Sequence, residues 1–133
     1  KALELAYAEM EEHRFHISAL KTQMITGLQA NIPDVRFNGM SGEIENSLYT
    51  VLNVCTAPST NNEMLLFNLD ISGISISGGS ACSSGSDIGS HVLAELDRDP
   101  KRGAIRFSFS RSNTAEEVNY AVDKLVEITT VHA

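Results

Sequence analysis

The chain has 133 residues, 42% of them hydrophobic, with a formal net charge of −7 and two cysteines. This size and apolar content fit one domain with a buried core, and no run of roughly 20 apolar residues is available to cross a bilayer. The acidic charge without a Lys/Arg cluster argues against nucleic-acid binding, while the number and spacing of the cysteines argue against a disulfide scaffold or structural zinc and favour a reducing, cytoplasmic setting.

The N-terminal part of the chain is predicted to form one long helix over residues 1–30. Apolar residues recur at intervals of three and four from Leu3 to Leu28, and Pro33 ends the pattern. The helix opens at once from Lys1, without an initiator Met, so we interpret the chain as part of a longer protein.

The rest of the chain alternates between short strands and helices. Strands are predicted at 35–37, 48–56, 74–77 and 104–110. Helices are predicted at 64–69, at 89–97 and from Thr114, where Glu117 completes a capping-box pattern. This order favours an α+β fold: a small two-layer sandwich in which three or four mainly antiparallel strands carry helices on one face.

Two arginines at the last strand are candidate site residues. Ile105 and Phe107 alternate with Arg106, which places the Arg106 side chain on the open face of a half-buried strand. There it is either a solvated charge or a rigidly held guanidinium that grips a carboxylate through two parallel hydrogen bonds. Arg111, at the strand end, is predicted to be a surface charge or to pair with a glutamate at 116–117.

The two cysteines occupy different surroundings. Cys82 lies in a Gly/Ser-rich stretch, where an exposed thiol near many backbone N–H donors can be reactive, although such stretches also occur as inert linkers. Cys55 follows Val54 in a strand and is predicted to be a packing residue.

Histidines offer weaker candidates. His13 and His16 lie three residues apart on the first helix, a spacing that permits a metal site, but a solvated charged face is the simpler interpretation. His91 heads the helix after the Cys82 stretch and is either a proton carrier near that thiol or an exposed residue. No metal is expected.

The order of these pieces resembles a known family. The chain reads Ile-Ser-Gly-Gly-Ser-Ala-Cys-Ser-Ser-Gly-Ser over 76–86, then a helix, then Ile-Arg-Phe-Ser over 105–108. Leu-Asn-Val over 52–54 and Thr-Ala-Glu-Glu-Val over 114–118 fit the same pattern. This pattern is similar to the C-terminal small domain of cysteine desulfurases of the NifS and IscS type, in the class-V aminotransferase family.

The resemblance implies a role for each site residue. Cys82, on a mobile loop at 77–88, matches the thiolate that attacks the sulfur of L-cysteine and retains it as a persulfide while L-alanine is released. Arg106 matches the residue that binds the substrate carboxylate. The family depends on pyridoxal 5′-phosphate, but the residues that hold this cofactor belong to a large domain that matches no part of residues 1–133, so this chain alone is expected neither to bind it nor to act on cysteine.

The resemblance also implies partners: the large domain, a sulfur-acceptor or scaffold protein that serves iron–sulfur cluster or thio-cofactor assembly, and a second copy in a homodimer. Other interpretations remain open. These are another pyridoxal-phosphate enzyme of the same fold, such as a selenocysteine lyase or an aminotransferase, a stand-alone thiol or sulfur-carrier module, and a structural domain with an incidental cysteine. Reactivity of Cys82 separates the last from the others.

Overall fold

A computed structural model of the chain describes residues 1–58, 62–78, 93, 95–96, 99 and 101–130. Within these ranges the α-helices are α1 (Ala2–Asn31), α2 (Leu65–Ile71) and α3 (Ala115–Thr130), and a short 3₁₀ turn (Asn62–Met64) leads into α2. The strands are β1 (Arg36–Phe37), β2 (Val51–Pro58) and β3 (Arg102–Ser108). They form an antiparallel sheet in the order β1–β2–β3, which confirms the predicted α+β architecture.

The predicted extent of α1 is confirmed, but only its second half reaches the core. Leu20, Met24 and Leu28 are buried against the sheet and α3. The apolar side chains of the first half are exposed, and Phe15 is 81% accessible. The sequence predicts one continuous apolar stripe on α1, but only the part from Ile17 onward is buried. The apolar side chains of the first half do not belong to the core formed by the described residues.

One face of the sheet packs on the hydrophobic core; on the other, called the open face here, Asn53 and Arg106 are half-buried and Cys55 is buried. Side chains at alternating positions of the two long strands point into the core, as expected for a half-covered antiparallel sheet. The central core residues of the sheet are Leu52, Val54, Ile105 and Phe107. The alternation predicted for β3 is thus confirmed, and it places Arg106 on the open face opposite its register partner Asn53.

Helix α3 begins at the predicted capping box. The backbone N–H of Glu117 donates to Thr114 Oγ1 (3.2 Å), and the Glu117 carboxylate accepts from the backbone N–H of Thr114 (3.1 Å). These two bonds satisfy N–H groups that lack partners within the helix. The helix then packs beside α1, where Gln23 donates to the side-chain oxygen of Asn119 (2.6 Å).

Of the brief strand predicted at 74–77, only Ser77 pairs with the sheet. Helix α2 ends in a Schellman motif, in which Gly73 takes a φ of +78° and its N–H donates to Asp70 O (2.9 Å), while Ile74 N–H donates to Leu69 O (2.9 Å). Because the helix end uses the first backbone donor of this segment, the chain meets β3 only afterwards, in a single β-bridge.

Strand β3 begins two residues earlier than predicted. The sequence predicts the strand over 104–110, yet Arg102 and Gly103 are already strand residues and both are buried. Local patterns do not predict this earlier start, because Arg102 pairs with Asp34, which lies far away in the sequence. The helix predicted at 89–97 lies almost wholly outside the described residues.

None of the described helices has an apolar stretch long enough to span a bilayer.

Candidate functional site

Arg106 is the predicted site residue that the structure places. It lies in the middle of β3, half-buried, with its neighbours Ile105 and Phe107 turned into the core. Because adjacent strand residues point to opposite faces, the packing of these two apolar side chains fixes the Arg106 side chain on the open face. The open-face position predicted from the alternation is confirmed, whereas binding of a carboxylate stays a prediction.

Ser77 holds Arg106 through both backbone and side chain. The Arg106 N–H donates to Ser77 O (2.7 Å) and the Ser77 N–H donates to Arg106 O (3.2 Å), which forms an antiparallel bridge. In addition, Arg106 Nε donates to Ser77 Oγ (3.0 Å). Among the described residues, the two terminal nitrogens of this guanidinium have no hydrogen-bond or ion-pair partner.

Asn53 adds a second polar group beside Arg106. It is the β2 register partner of Arg106, so the two side chains lie on the same face. The Asn53 side-chain oxygen accepts a hydrogen bond from Asn38 Nδ2 (2.8 Å), and the backbone N–H of Asn53 donates to Ser41 Oγ (3.2 Å). The sequence indicates Asn53 only as part of a family pattern, since pairing between distant strands cannot be derived from local periodicity.

Cys82, the predicted nucleophile, lies outside the described residues, as do 79–88 of the predicted loop and His91. The segment that leads to it is described up to Gly78. Cys55, in contrast, is described: it is a free cysteine on β2 and only 3% exposed. The prediction that Cys55 is a packing residue is confirmed.

Lys21 is a buried cation that sequence reasoning did not single out. Its side chain is completely buried, and Nζ donates to Ser47 Oγ (2.7 Å) and to the backbone oxygen of Leu48 (2.8 Å). Burial disfavours the charged form and lowers the pKa of Lys21. A signal was present, because Lys21 lies three residues before Met24 and so shares the buried stripe of α1.

The Asp34–Arg102 pair was also not predicted. The Arg102 terminal nitrogens donate to Asp34 Oδ2 at 2.8 and 2.7 Å, and one of them also donates to Asp34 O at 2.9 Å. Desolvation raises the pKa of Asp34, but the hydrogen bond from Arg36 and the charge of Arg102 outweigh it and hold that pKa below its ordinary value. This pair joins the start of β3 to the turn after α1 and is structural.

The prediction that Arg111 is a surface charge is confirmed, because its side chain is 64% exposed. Arg111 pairs with Glu9 on α1 (2.8 Å) rather than with a glutamate of α3, and Glu9 also lies 3.4 Å from His13. The ring of His16 contacts Asn113 O at 2.9 Å. Among the described residues, no group of three or more His, Cys, Asp and Glu side chains could hold a metal ion.

The described residues do not fit pyridoxal phosphate. A Schiff base needs a lysine amine that the cofactor can reach, and all four lysines of the chain are described. Lys21 is enclosed and bound to Ser47, Lys124 pairs with Glu127, and Lys1 and Lys101 are exposed. None of them therefore offers an amine within a cofactor pocket.

The sequence is similar to that of known proteins over nearly its whole length. Residues 1–121 match the family described as Aminotransferase class-V. The chain is 36% identical over 134 residues to cysteine desulfurase IscS of Clostridium botulinum (strain Hall), covering 96% of this chain and 32% of that protein. It is also 36% identical over 132 residues to a cysteine desulfurase of Bradyrhizobium diazoefficiens, covering 98% of this chain and 32% of that protein.

A solved structure shares the fold. The structure of a NifS-like protein superposes with a TM-score of 0.76 at 29% identity, covering 98% of this chain and 32% of the solved one. The chain thus spans about a third of the length of the curated relatives that it matches. Since the family match extends over most of the chain, the chain belongs to the class-V aminotransferase family.

Proposed function

We propose that these residues form the small domain of a cysteine desulfurase, which moves sulfur from L-cysteine to Cys82 and releases L-alanine. The observation that carries the proposal is the bridge between Ser77 and Arg106. It ties a guanidinium on the open sheet face to the segment that leads to Cys82. Cys82 follows Ser77 by five residues, so their Cα atoms are at most about 18 Å apart.

Arg106 binds the carboxylate of L-cysteine. Its Nε is occupied by Ser77 Oγ, while its terminal nitrogens have no recorded partner among the described residues. Two parallel N–H donors match the two oxygens of a carboxylate, and such a charged, bidentate pair fixes orientation as well as adding affinity. With the carboxylate fixed, the substrate sulfur is restricted to a small region above the open face.

Cys82 acts as the nucleophile. Its thiolate attacks the sulfur of L-cysteine, so that the S–S bond of a persulfide forms and the substrate carbon–sulfur bond breaks. The electron pair of the broken bond stays with the substrate carbon, which takes a proton, and L-alanine leaves. The persulfide sulfur then passes to an acceptor or scaffold protein for iron–sulfur cluster or thio-cofactor assembly, in the cytoplasm.

The cofactor, pyridoxal phosphate, belongs to a large domain outside this chain. The lysines described above support this division, because none of them has an accessible amine in a pocket. The described residues therefore bind and orient the substrate but do not hold the cofactor. We further propose that the complete enzyme is a homodimer and that this chain alone is inactive.

The exposed first half of α1 is the proposed contact with that large domain. Leu3, Tyr7 and Phe15 are 69%, 68% and 81% exposed, far more than apolar side chains in a finished core. All three lie outside the hydrophobic core formed by the described residues. The relatives are about three times as long as this chain, so they contain ample polypeptide to cover this surface.

The test uses the full-length protein that carries these residues, with L-cysteine as substrate. We expect alanine and sulfane sulfur in equal amounts, loss of both in Cys82→Ala, and a KM for cysteine raised about 100-fold in Arg106→Gln, as expected for removal of a charged bidentate contact. Transamination that survives Cys82→Ala, without desulfuration in the wild type, would instead indicate an aminotransferase. A wild-type enzyme that uses selenocysteine and not cysteine would indicate a selenocysteine lyase.

A further inference from the structure

The contact between Ser77 and Arg106 selects one way of binding a carboxylate. A guanidinium can present two parallel donors from its side, through Nε and one terminal nitrogen, or from its end, through both terminal nitrogens. The Arg106 Nε bond to Ser77 Oγ (3.0 Å) occupies the side. Only the end of the guanidinium remains to form a two-point contact.

The same serine also fixes where that end points. Ser77 and Arg106 are directly opposite each other in the bridge, with both backbone bonds formed at 2.7 and 3.2 Å. Their side chains therefore share a face, and the Oγ–Nε bond restricts the rotation of a long side chain that otherwise has many rotamers. Both residues are partly buried, which favours a single geometry over a solvated ensemble.

We propose that Ser77 is a positioning residue for substrate recognition: its hydroxyl holds Arg106 so that both terminal nitrogens face the carboxylate of the amino-acid substrate. This inference rests on the proposed function, and in particular on carboxylate binding by Arg106. Ser77 itself touches neither the substrate nor the reacting sulfur. Its contribution is to affinity and to discrimination between substrates with and without a carboxylate.

The test compares Ser77→Val with Ser77→Thr in the full-length enzyme. Both side chains are β-branched and suit a strand, and Val carries a methyl group where Thr carries its hydroxyl, so the pair isolates the effect of the hydroxyl. Competitive inhibition is measured with L-alanine and with L-alaninamide, in which a neutral amide replaces the carboxylate. Ser75→Val serves as a matched control, because Ser75 is exposed, lies two residues earlier and has no recorded hydrogen bond to Arg106.

We expect Ser77→Val to weaken L-alanine binding and to raise the KM for cysteine by about tenfold, the effect of losing one hydrogen bond of about 1.4 kcal/mol. L-Alaninamide binding and kcat should stay within about twofold, and Ser77→Thr should resemble the wild type. A merely structural role would weaken both inhibitors equally in Ser77→Val, and this result would overturn the inference.

The Arg106→Gln variant separates this inference from the proposed function. If Arg106→Gln loses cysteine binding while Ser77→Val binds L-alanine like the wild type, the inference is wrong and the proposed function stands. If Arg106→Gln leaves the KM for cysteine unchanged, Arg106 does not bind the carboxylate, and both the proposed role of Arg106 and the positioning role of Ser77 are wrong.

Discussion

Asp34 and Arg102 form a fork between the turn after α1 and the first residue of β3. Both terminal nitrogens of Arg102 reach the same carboxylate oxygen of Asp34, at 2.8 and 2.7 Å, although the residues are 68 positions apart. The Arg102 side chain is only 4% exposed, whereas that of Asp34 is 48% exposed. A buried cation is thus paired with a half-exposed carboxylate, which makes Asp34 a stability determinant.

Replacing Asp34 with Asn should lower the melting temperature of the chain at neutral pH, because it removes a negative charge that is paired with the buried Arg102. The pKa of Asp34 is lower in the folded state, so its ionisation stabilises the fold above about pH 4 and this contribution is lost as the pH falls through the folded value. The difference between wild type and Asp34→Asn should therefore shrink at acidic pH. Thermal unfolding between pH 7 and pH 3 measures it.

Arg36→Gln is the matched control for that series, because Arg36 pairs with the same carboxylate but is 67% exposed. Its effect on the melting temperature should be small, as for most surface ion pairs. An Asp34→Asn effect that is equally small at pH 7, or that persists undiminished at pH 3, would contradict the assignment of this pair as a buried-charge contact.

The capping box of α3 gives a second prediction. Thr114→Ala removes the hydroxyl that accepts from the Glu117 N–H and should cost about 1 kcal/mol of stability. Urea unfolding at pH 7 measures the change. Ser112→Ala, two residues earlier and without a recorded side-chain bond in the described part of the chain, should be nearly neutral, and equal costs in the two variants would argue against the cap.

Lys21 should make stability rise with alkaline pH. The pKa of Lys21 is lower in the folded state, so the unfolded chain binds more protons than the folded chain as the pH approaches the ordinary lysine value of about 10.4. Burial of the charged amine destabilises the fold at lower pH, and this destabilisation decreases as the amine loses its proton. Denaturant unfolding from pH 8 to pH 10.5 should therefore show wild type gaining stability relative to Lys21→Met.

Lys124 should show the opposite dependence of stability on pH. The hydrogen bond and charge of Glu127 raise the pKa of Lys124, so any stabilisation from that exposed pair is present below the ordinary lysine value and lost as the pH rises. Relative to Lys124→Met, the wild type should not gain stability over the same range. A Lys21→Met difference that falls with pH would show that the Lys21 ammonium is favoured, rather than disfavoured, by its surroundings.

Thiol reactivity distinguishes the two cysteines. Cys55 is 3% exposed within β2, so its alkylation in the native protein requires local opening of the sheet. With iodoacetamide, Cys82 should react more than about 100-fold faster than Cys55, since opening a central strand costs several kcal/mol. In denaturant the two rates should converge. Equal rates in the native protein would favour an incidental cysteine at position 82.

These features differ in how far the sequence predicts them. Periodicity predicts the open-face position of Arg106, because its apolar neighbours Ile105 and Phe107 identify the buried face of β3. It also predicts the Thr114–Glu117 cap, whose partners are three residues apart. It does not predict contacts between distant segments. The Asp34–Arg102 ion pair joins residues that are 68 positions apart and meet only in the folded state.

The same limit explains the errors. Ile74 and Ile76 alternate like a strand, but the Schellman motif at Gly73 uses the first backbone donor of the segment. Local charge patterns also do not predict the partner of Arg111, because Glu9 lies on α1, 102 positions earlier in the sequence. The bond between Ser77 and Arg106 also joins distant segments and is not predicted from local patterns, although both residues lie within the family pattern.

The central claim is that Cys82 receives the sulfur of L-cysteine. The most direct test incubates the full-length protein with L-cysteine labelled with a heavy sulfur isotope, blocks thiols with an alkylating reagent and analyses the peptides by mass spectrometry. We predict one additional heavy sulfur atom on the peptide that contains Cys82, none on the Cys55 peptide, and none on either in Arg106→Gln at limiting cysteine. Labelled sulfur on Cys55, or alanine release without labelled sulfur on Cys82, would contradict the account.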